Sequence, residues 1–302
     1  MPDADAVSAG AGIAEPLRSV PPPSTTKAIP STSIATSKPT DGVGSRPIGL
    51  VNLSKLLRST LTAGISASVK TGQTELRGLG DTWLVVGDLA SSVRIPVAGV
   101  SVDGDLVVPA GAAGVVLFAH GSGSSRRSPR NRMVAARLQA AGYATLLMDL
   151  LTPEEEQVDN RTRHIRFDIP RLASRLSGAI RWLSERPDTR GLPVALFGAS
   201  TGAAAALQAA AEVPELVNVV ISRGGRPDLA GDALERVRMP TLLIVGSRDV
   251  EVLALNQAAA ARLSGPSEIA VVPGATHLFP EPGTLDRVVE LALDALRRNM
   301  AT

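Results

Sequence analysis

Ser200 lies in the pentapeptide Gly198-Ala199-Ser200-Thr201-Gly202, between the apolar run 194–197 and an alanine-rich, helix-forming run. Strand, G-x-S-x-G, helix is the context in which a serine rides a sharp turn with its hydroxyl exposed. Glycines two places before and after tolerate such a turn. Ala203 and Ala204 keep the following helix slim enough to lie against the strand. A serine hydroxyl is a weak nucleophile until a base takes its proton. His277, in Pro273-Gly274-Ala275-Thr276-His277, stands in a suitable loop after it, and Asp249, in Gly246-Ser247-Arg248-Asp249, falls between the two. Serine attacking a carbonyl, histidine taking and returning the proton, and aspartate holding the imidazole's tautomer is acyl-transfer chemistry. It also needs N–H groups aimed at the developing oxyanion. The glycine-rich loop His120-Gly121-Ser122-Gly123 can supply them from Gly121 and Ser122, and Thr201 supplies another just after the serine.

Plainer readings stand beside these. The pentapeptide also fits an ordinary Gly/Ala-rich strand-to-helix link, and His277 could be a loop histidine. Asp249 could cap a helix beginning near Val252. Glu251 is the second candidate acid, and Asp149 a third. His120 is expected to pack under the oxyanion loop and His164 to lie on the surface of segment 151–168, the natural lid.

Arginines gather where the serine should be. Arg126, Arg127, Arg130 and Arg132 follow the glycine-rich loop, Arg223 and Arg226 follow the strand expected at 217–221, and Arg248 precedes the acid. Arginine grips carboxylate or phosphate with two parallel hydrogen bonds, so Arg126, Arg127, Arg223 and Arg226 are candidate contacts to an anionic ester or lactone. The alternative is solvated charge, some of it paired with Asp228 or with Glu154-Glu155-Glu156.

The positioning elements follow from periodicity. Strands are expected at 83–86, 92–100 and 101–108, with Asp103-Gly104 as a tight turn. Further strands are expected at 114–118, 144–148, 194–197, 217–221, 241–245 and 268–272. Helices are expected at 131–141, 170–185, after Ser200, 253–263 and 284–298, with a short one near 232–236. Short apolar strands alternating with helices predict a mostly parallel sheet covered on both faces, with an antiparallel N-terminal strand pair. In such sheets ligand sites form at the carboxyl ends of strands, where each candidate residue falls.

Residues 1–46 are rich in Pro, Ser, Thr, Ala and Gly and read as a disordered tail. Leu50, Leu53, Leu57 and Leu61 predict an amphipathic helix, so that 47–80 is a helix and linker ahead of a domain spanning 81–302. The chain of 302 residues is 44% hydrophobic but only 2% aromatic, so its core must be aliphatic. It has no cysteine, which excludes disulfides, thiolate metal sites and a cysteine nucleophile. With three histidines a polyhistidine metal centre is not expected, and no cofactor is called for. A net charge of +2 does not suggest a nucleic-acid partner. With no secretory signal or convincing membrane span, cytoplasmic localisation and a small-molecule partner are expected.

The runs VVLFAHGSGSSRRSPRNR (115–132), MDLLTPEEE (148–156), FGASTGAAAAL (197–207), SRGGRPDLAG (222–231), TLLIVGSRD (241–249) and VVPGATHLFPEPGTL (271–285) resemble the α/β-hydrolase superfamily, and more narrowly the dienelactone hydrolase family. The resemblance covers about 110–300. It is similar in particular to domains of this kind that some bacterial proteins fuse to a phosphoribosyltransferase domain, a half that residues 1–80 do not resemble. It implies an α/β-hydrolase fold and ester or lactone hydrolysis without metal or organic cofactor, and carries the triad roles onto Ser200, Asp249 and His277. The family's type member uses a cysteine nucleophile, so the resemblance implies a serine carboxylesterase-type activity rather than that substrate. An acyltransferase or thioesterase on the same triad, or a non-catalytic binding module, are the alternatives.

Overall fold

The computed structural model describes residues 66–70, 73–77, 83–86 and 89–300, with side chains from residue 91. The tail and helix expected over 1–65 lie outside the described residues. Strands β1 (Ser66–Lys70), β2 (Gln73–Arg77) and β3 (Trp83–Val86) form a three-stranded antiparallel sheet. The first two fall in the stretch that sequence reading offered as linker.

The second sheet has eight strands in the order β11-β10-β9-β8-β6-β7-β5-β4. β4 (Leu89–Val97) and β5 (Val100–Val108) form an antiparallel hairpin at one edge, and β5 pairs antiparallel with β7 (Ala144–Met148). From β7 onward the sheet is parallel through β6 (Val115–Ala119), β8 (Val194–Ala199), β9 (Val219–Arg223), β10 (Thr241–Gly246) and β11 (Ser267–Val272).

The hairpin turns at Ala98-Gly99, with φ of 47° and 77°, and not at Asp103-Gly104. Val102, Gly104, Leu106 and Val108 form the buried face of one unbroken strand. A Cβ on Gly104 would stand 2.9 Å from Ile95 Cδ1 and 3.0 Å from Leu146 Cδ1, so the glycine makes room for core side chains. Period-two burial outweighs the local turn signal.

Alternate strand residues feed two cores. Val115, Leu117 and Leu196 point to one face, and Val116, Phe118 and Phe197 to the other, where the two phenyl rings lie 4.9 Å apart. The second face is covered by α1 (Pro129–Ala140) and α6 (Thr284–Asn299). The first face is covered by α3 (Ile169–Glu185) and α4 (Thr201–Glu212). α4 is wedged between β8, α3 and the 3-10 segment Pro227–Arg236. Its run Ala203–Ala206 is fully buried, since only a helix without bulk fits there. α2 (Pro153–Thr162) comes after β7 in the chain, and α5 (Val250–Ala260) follows β10.

Candidate active site

β8 delivers Ser200 to the start of α4 with φ 50° and ψ −123°, a backbone conformation that costs a non-glycine residue free energy. Three hydrogen bonds hold it. Its N–H donates to Arg223 O (3.3 Å), and its carbonyl accepts from Ala203 N (3.1 Å) and Arg226 N (3.0 Å). A Cβ on Gly198 would meet Ala203 N at 2.8 Å, and one on Gly202 would meet His120 O at 2.5 Å. The two flanking glycines are therefore required by close backbone approach.

Asp249 follows β10, and His277 follows β11. His277 Nδ1 lies 2.7 Å from Asp249 Oδ2. Glu251 is exposed on the first turn of α5, and Asp149 is engaged by Arg126, so Asp249 is the carboxylate at the imidazole. The histidine loop is clamped by Glu281, whose carboxylate accepts from Thr276 N–H (3.1 Å) and Thr276 Oγ1 (2.6 Å). Buried Phe279, at φ 56°, closes the loop. Gly224 links the two halves of the site. A Cβ there would stand 2.8 Å from His277 O, while the preceding Arg223 carbonyl receives the Ser200 N–H.

The glycine-rich loop lies against the elbow, where a Cβ on Gly121 would stand 3.1 Å from Ser200 Cβ. Ser122 N–H donates to Thr201 Oγ1 at 2.8 Å, so it is occupied rather than aimed at an oxyanion. Thr201 N–H belongs to the first turn of α4, where backbone donors lack helical acceptors. His120 is 9% exposed beneath the loop: Leu150 N–H donates to its Nε2 (3.1 Å), which fixes the proton on Nδ1 for Gly121 O (3.0 Å). Burial pushes its pKa below the usual imidazole value, so it is a neutral strut.

The arginines scatter. Arg126 is bound to Asp149 through its backbone N–H and its guanidinium, with Asp103 and Asp105 nearby. Arg226 makes a bidentate pair with Asp228, at 2.9 and 2.7 Å. Arg127 is exposed. Arg223 is the last residue of β9, a strand that runs two residues beyond its expected end. It turns inward to donate to Asn131 Oδ1 (3.2 Å), with its Nε and Nη1 buried and without partners among the described residues.

A cleft opens beside the elbow. Its floor includes His120, Gly121, Ser122 and Thr201, and its wall is segment 151–168. That wall is locked to the domain. Thr152 and Glu155 form a reciprocal capping box at the start of α2, and buried Arg175 reaches both Glu155 oxygens (2.5 Å each) and Leu150 O (2.6 Å). The T-P-E-E spelling was the available signal for this helix. Arg166, which sequence reading did not single out, also lines the cleft. No helix among the described residues is long and apolar enough to cross a membrane.

Two Mycobacterium tuberculosis proteins, named as phosphoribosyl transferases, are 59% identical over 202 residues. The match covers 67% of this chain, which spans only 45% of their length. A dienelactone hydrolase structure from Anabaena variabilis is 57% identical with a TM-score of 0.69, covering 70% of this chain and 98% of that one. The fold is also shared with Est1E from Butyrivibrio proteoclasticus, at 15% identity and TM-score 0.55 over 68% of this chain and 98% of that one. The dienelactone hydrolase family matches residues 102–301, and the chain belongs to that family.

Proposed function

We propose that the protein is a serine hydrolase of small carboxylic esters or lactones, with Ser200 as nucleophile, His277 as base and Asp249 as its orienting acid. The observation that carries this reading is Ser200 held at φ 50° on a turn built by close-packed glycines. Ser200 Oγ attacks the carbonyl carbon as His277 Nε2 takes its proton. The oxyanion is held by the N–H groups of Thr201 and Gly121. Collapse expels the alcohol, which takes the proton back from His277, and water repeats the cycle on the acyl-serine. Asp249 Oδ2, 2.7 Å from Nδ1, keeps Nε2 free to act and steadies the imidazolium. The geometry lends less to an anionic substrate, because Arg126 and Arg226 have given their guanidinium edges to aspartates.

The test is labelling with a fluorophosphonate and turnover of p-nitrophenyl acetate, each beside Ser200→Ala. Labelling and turnover that both vanish in the variant are expected. A wild-type protein that neither labels nor turns over would overturn the proposal.

A further inference from the structure

Arg166 is a fork with one edge spent and one edge open. Its backbone N–H donates to Asp159 Oδ1 (2.9 Å) and its Nε to Asp159 Oδ2 (2.5 Å). Nη2 reaches Asp159 O (3.4 Å) and Asn160 Oδ1 (3.5 Å). Nη1 has no acceptor among the described residues. It lies over the oxyanion loop, 3.1 Å from where a Cβ on Gly123 would be. Asp159 is 2% exposed, so the fork cannot swing without stranding a buried carboxylate. A guanidinium fixed on one edge by a carboxylate is a directed donor with little net charge to offer.

The remaining charges of the cleft are unfavourable to an anion. Of its lining carboxylates, Asp149 is held by Arg126 and Asp159 by Arg166. Glu156 is exposed at the cleft and has no cationic partner among the described residues. His120 is neutral. The sum leaves one uncompensated negative charge beside one open donor.

We infer that this cleft receives the part of the substrate remote from the scissile bond, that this part is uncharged and carries an acceptor oxygen, and that Arg166 Nη1 reads the oxygen while Glu156 repels carboxylates. The inference rests on the serine-hydrolase reading and names its substrate class. Leu150, Leu151 and Leu172 supply the apolar lining for the carbon chain.

Three p-nitrophenyl esters of matched length test it: 4-methoxybutanoate, hexanoate, and the glutarate half-ester. The methoxy ester offers an ether oxygen where hexanoate has a methylene, and the half-ester ends in a carboxylate. In the wild type, kcat/KM for the methoxy ester should exceed the other two by about tenfold, the worth of one hydrogen bond to a charged group. Arg166→Met should bring the methoxy and hexanoate values together, and Arg166→Lys, which keeps a cation for Asp159, should do so with less disturbance of the fold. Glu156→Gln should narrow the gap to the glutarate ester by about threefold or more. Selectivity is read as a ratio within each variant, so a general loss of activity cancels.

Fluorophosphonate labelling separates the two readings. A wild type that labels at Ser200 but treats all three esters alike, or prefers glutarate, overturns the substrate class alone. A wild type that does not label overturns the hydrolase reading and this inference with it.

Discussion

Replacing Gly202 by alanine adds one methyl group where the elbow meets β6. That Cβ would fall against Ala119 O and 2.5 Å from His120 O, whereas real Cβ contacts are essentially never under 3.0 Å. Both obstacles are backbone atoms at the end of a central strand, so neither can rotate away. α4 must retreat from β6 by at least ~0.5 Å, an overpacking strain of about 1–3 kcal/mol. For a domain of this size that lowers Tm by roughly 2–12 °C. The same retreat pulls Thr201 N–H from Gly121 and strains the bond from Ser122 N–H to Thr201 Oγ1. Since a misplacement of about 1 Å can cost a hundredfold in rate, a tenfold or greater fall in kcat/KM is expected. Thermal unfolding and p-nitrophenyl acetate kinetics on the same preparation check both. A variant with Tm within about 2 °C and kcat/KM within about twofold of wild type would refute the close-packed elbow.

Asp249→Asn should lower kcat by about 10³–10⁴ through the wrong imidazole tautomer, while Glu251→Gln should leave it within about twofold; steady-state kinetics that reversed this order would reassign the acid. Burial, and then the neighbouring charge of Arg130, lower the Arg223 pKa to about 10, so the buried cation is a cost to the fold. Arg223→Met should therefore be neutral or stabilising by about 1–3 kcal/mol in urea unfolding, and a marked loss would show that the guanidinium has an unseen partner. Burial raises the Asp159 and Glu155 carboxylates, but their hydrogen bonds with Arg166 and with Arg175 and Thr152 outweigh it and leave both below the usual value. A folded pKa below the unfolded one stabilises above the unfolded value and fades as pH falls through the folded one. Hydrogen exchange over 152–168, corrected for intrinsic rate, should thus accelerate on acidification below about pH 4 before the central sheet opens.

The parts of this protein that could be read from sequence are those whose pattern and cause are both local. The apolar strands and the glycines around Ser200 announce themselves because period and steric need act within a few residues. The loops after β10 and β11 were legible for the same reason, and they bring Asp249 to His277. What stayed hidden depends on partners far along the chain. Nothing near Ser122 signals that its N–H belongs to Thr201, 79 residues on. Nothing around Arg126 marks Asp149, 23 residues away, as its partner. Arg223 was read as a loop residue because its strand was ended too early, and two residues of strand turned a rim cation into a buried one.

The seating of His120 bears on how the chain would report on itself spectroscopically. Of its three imidazoles, one is fixed as the Nδ1–H tautomer by Leu150 N–H and Gly121 O, and His164 lies exposed on the far wall. Selective ¹⁵N labelling of histidine would therefore give few signals of distinct origin. A resonance that holds one tautomer across neutral pH would monitor the glycine-rich loop, and one that moves when Ser200 is phosphonylated would monitor His277 in its proposed role as base. The scarcity of histidine makes this site readable atom by atom.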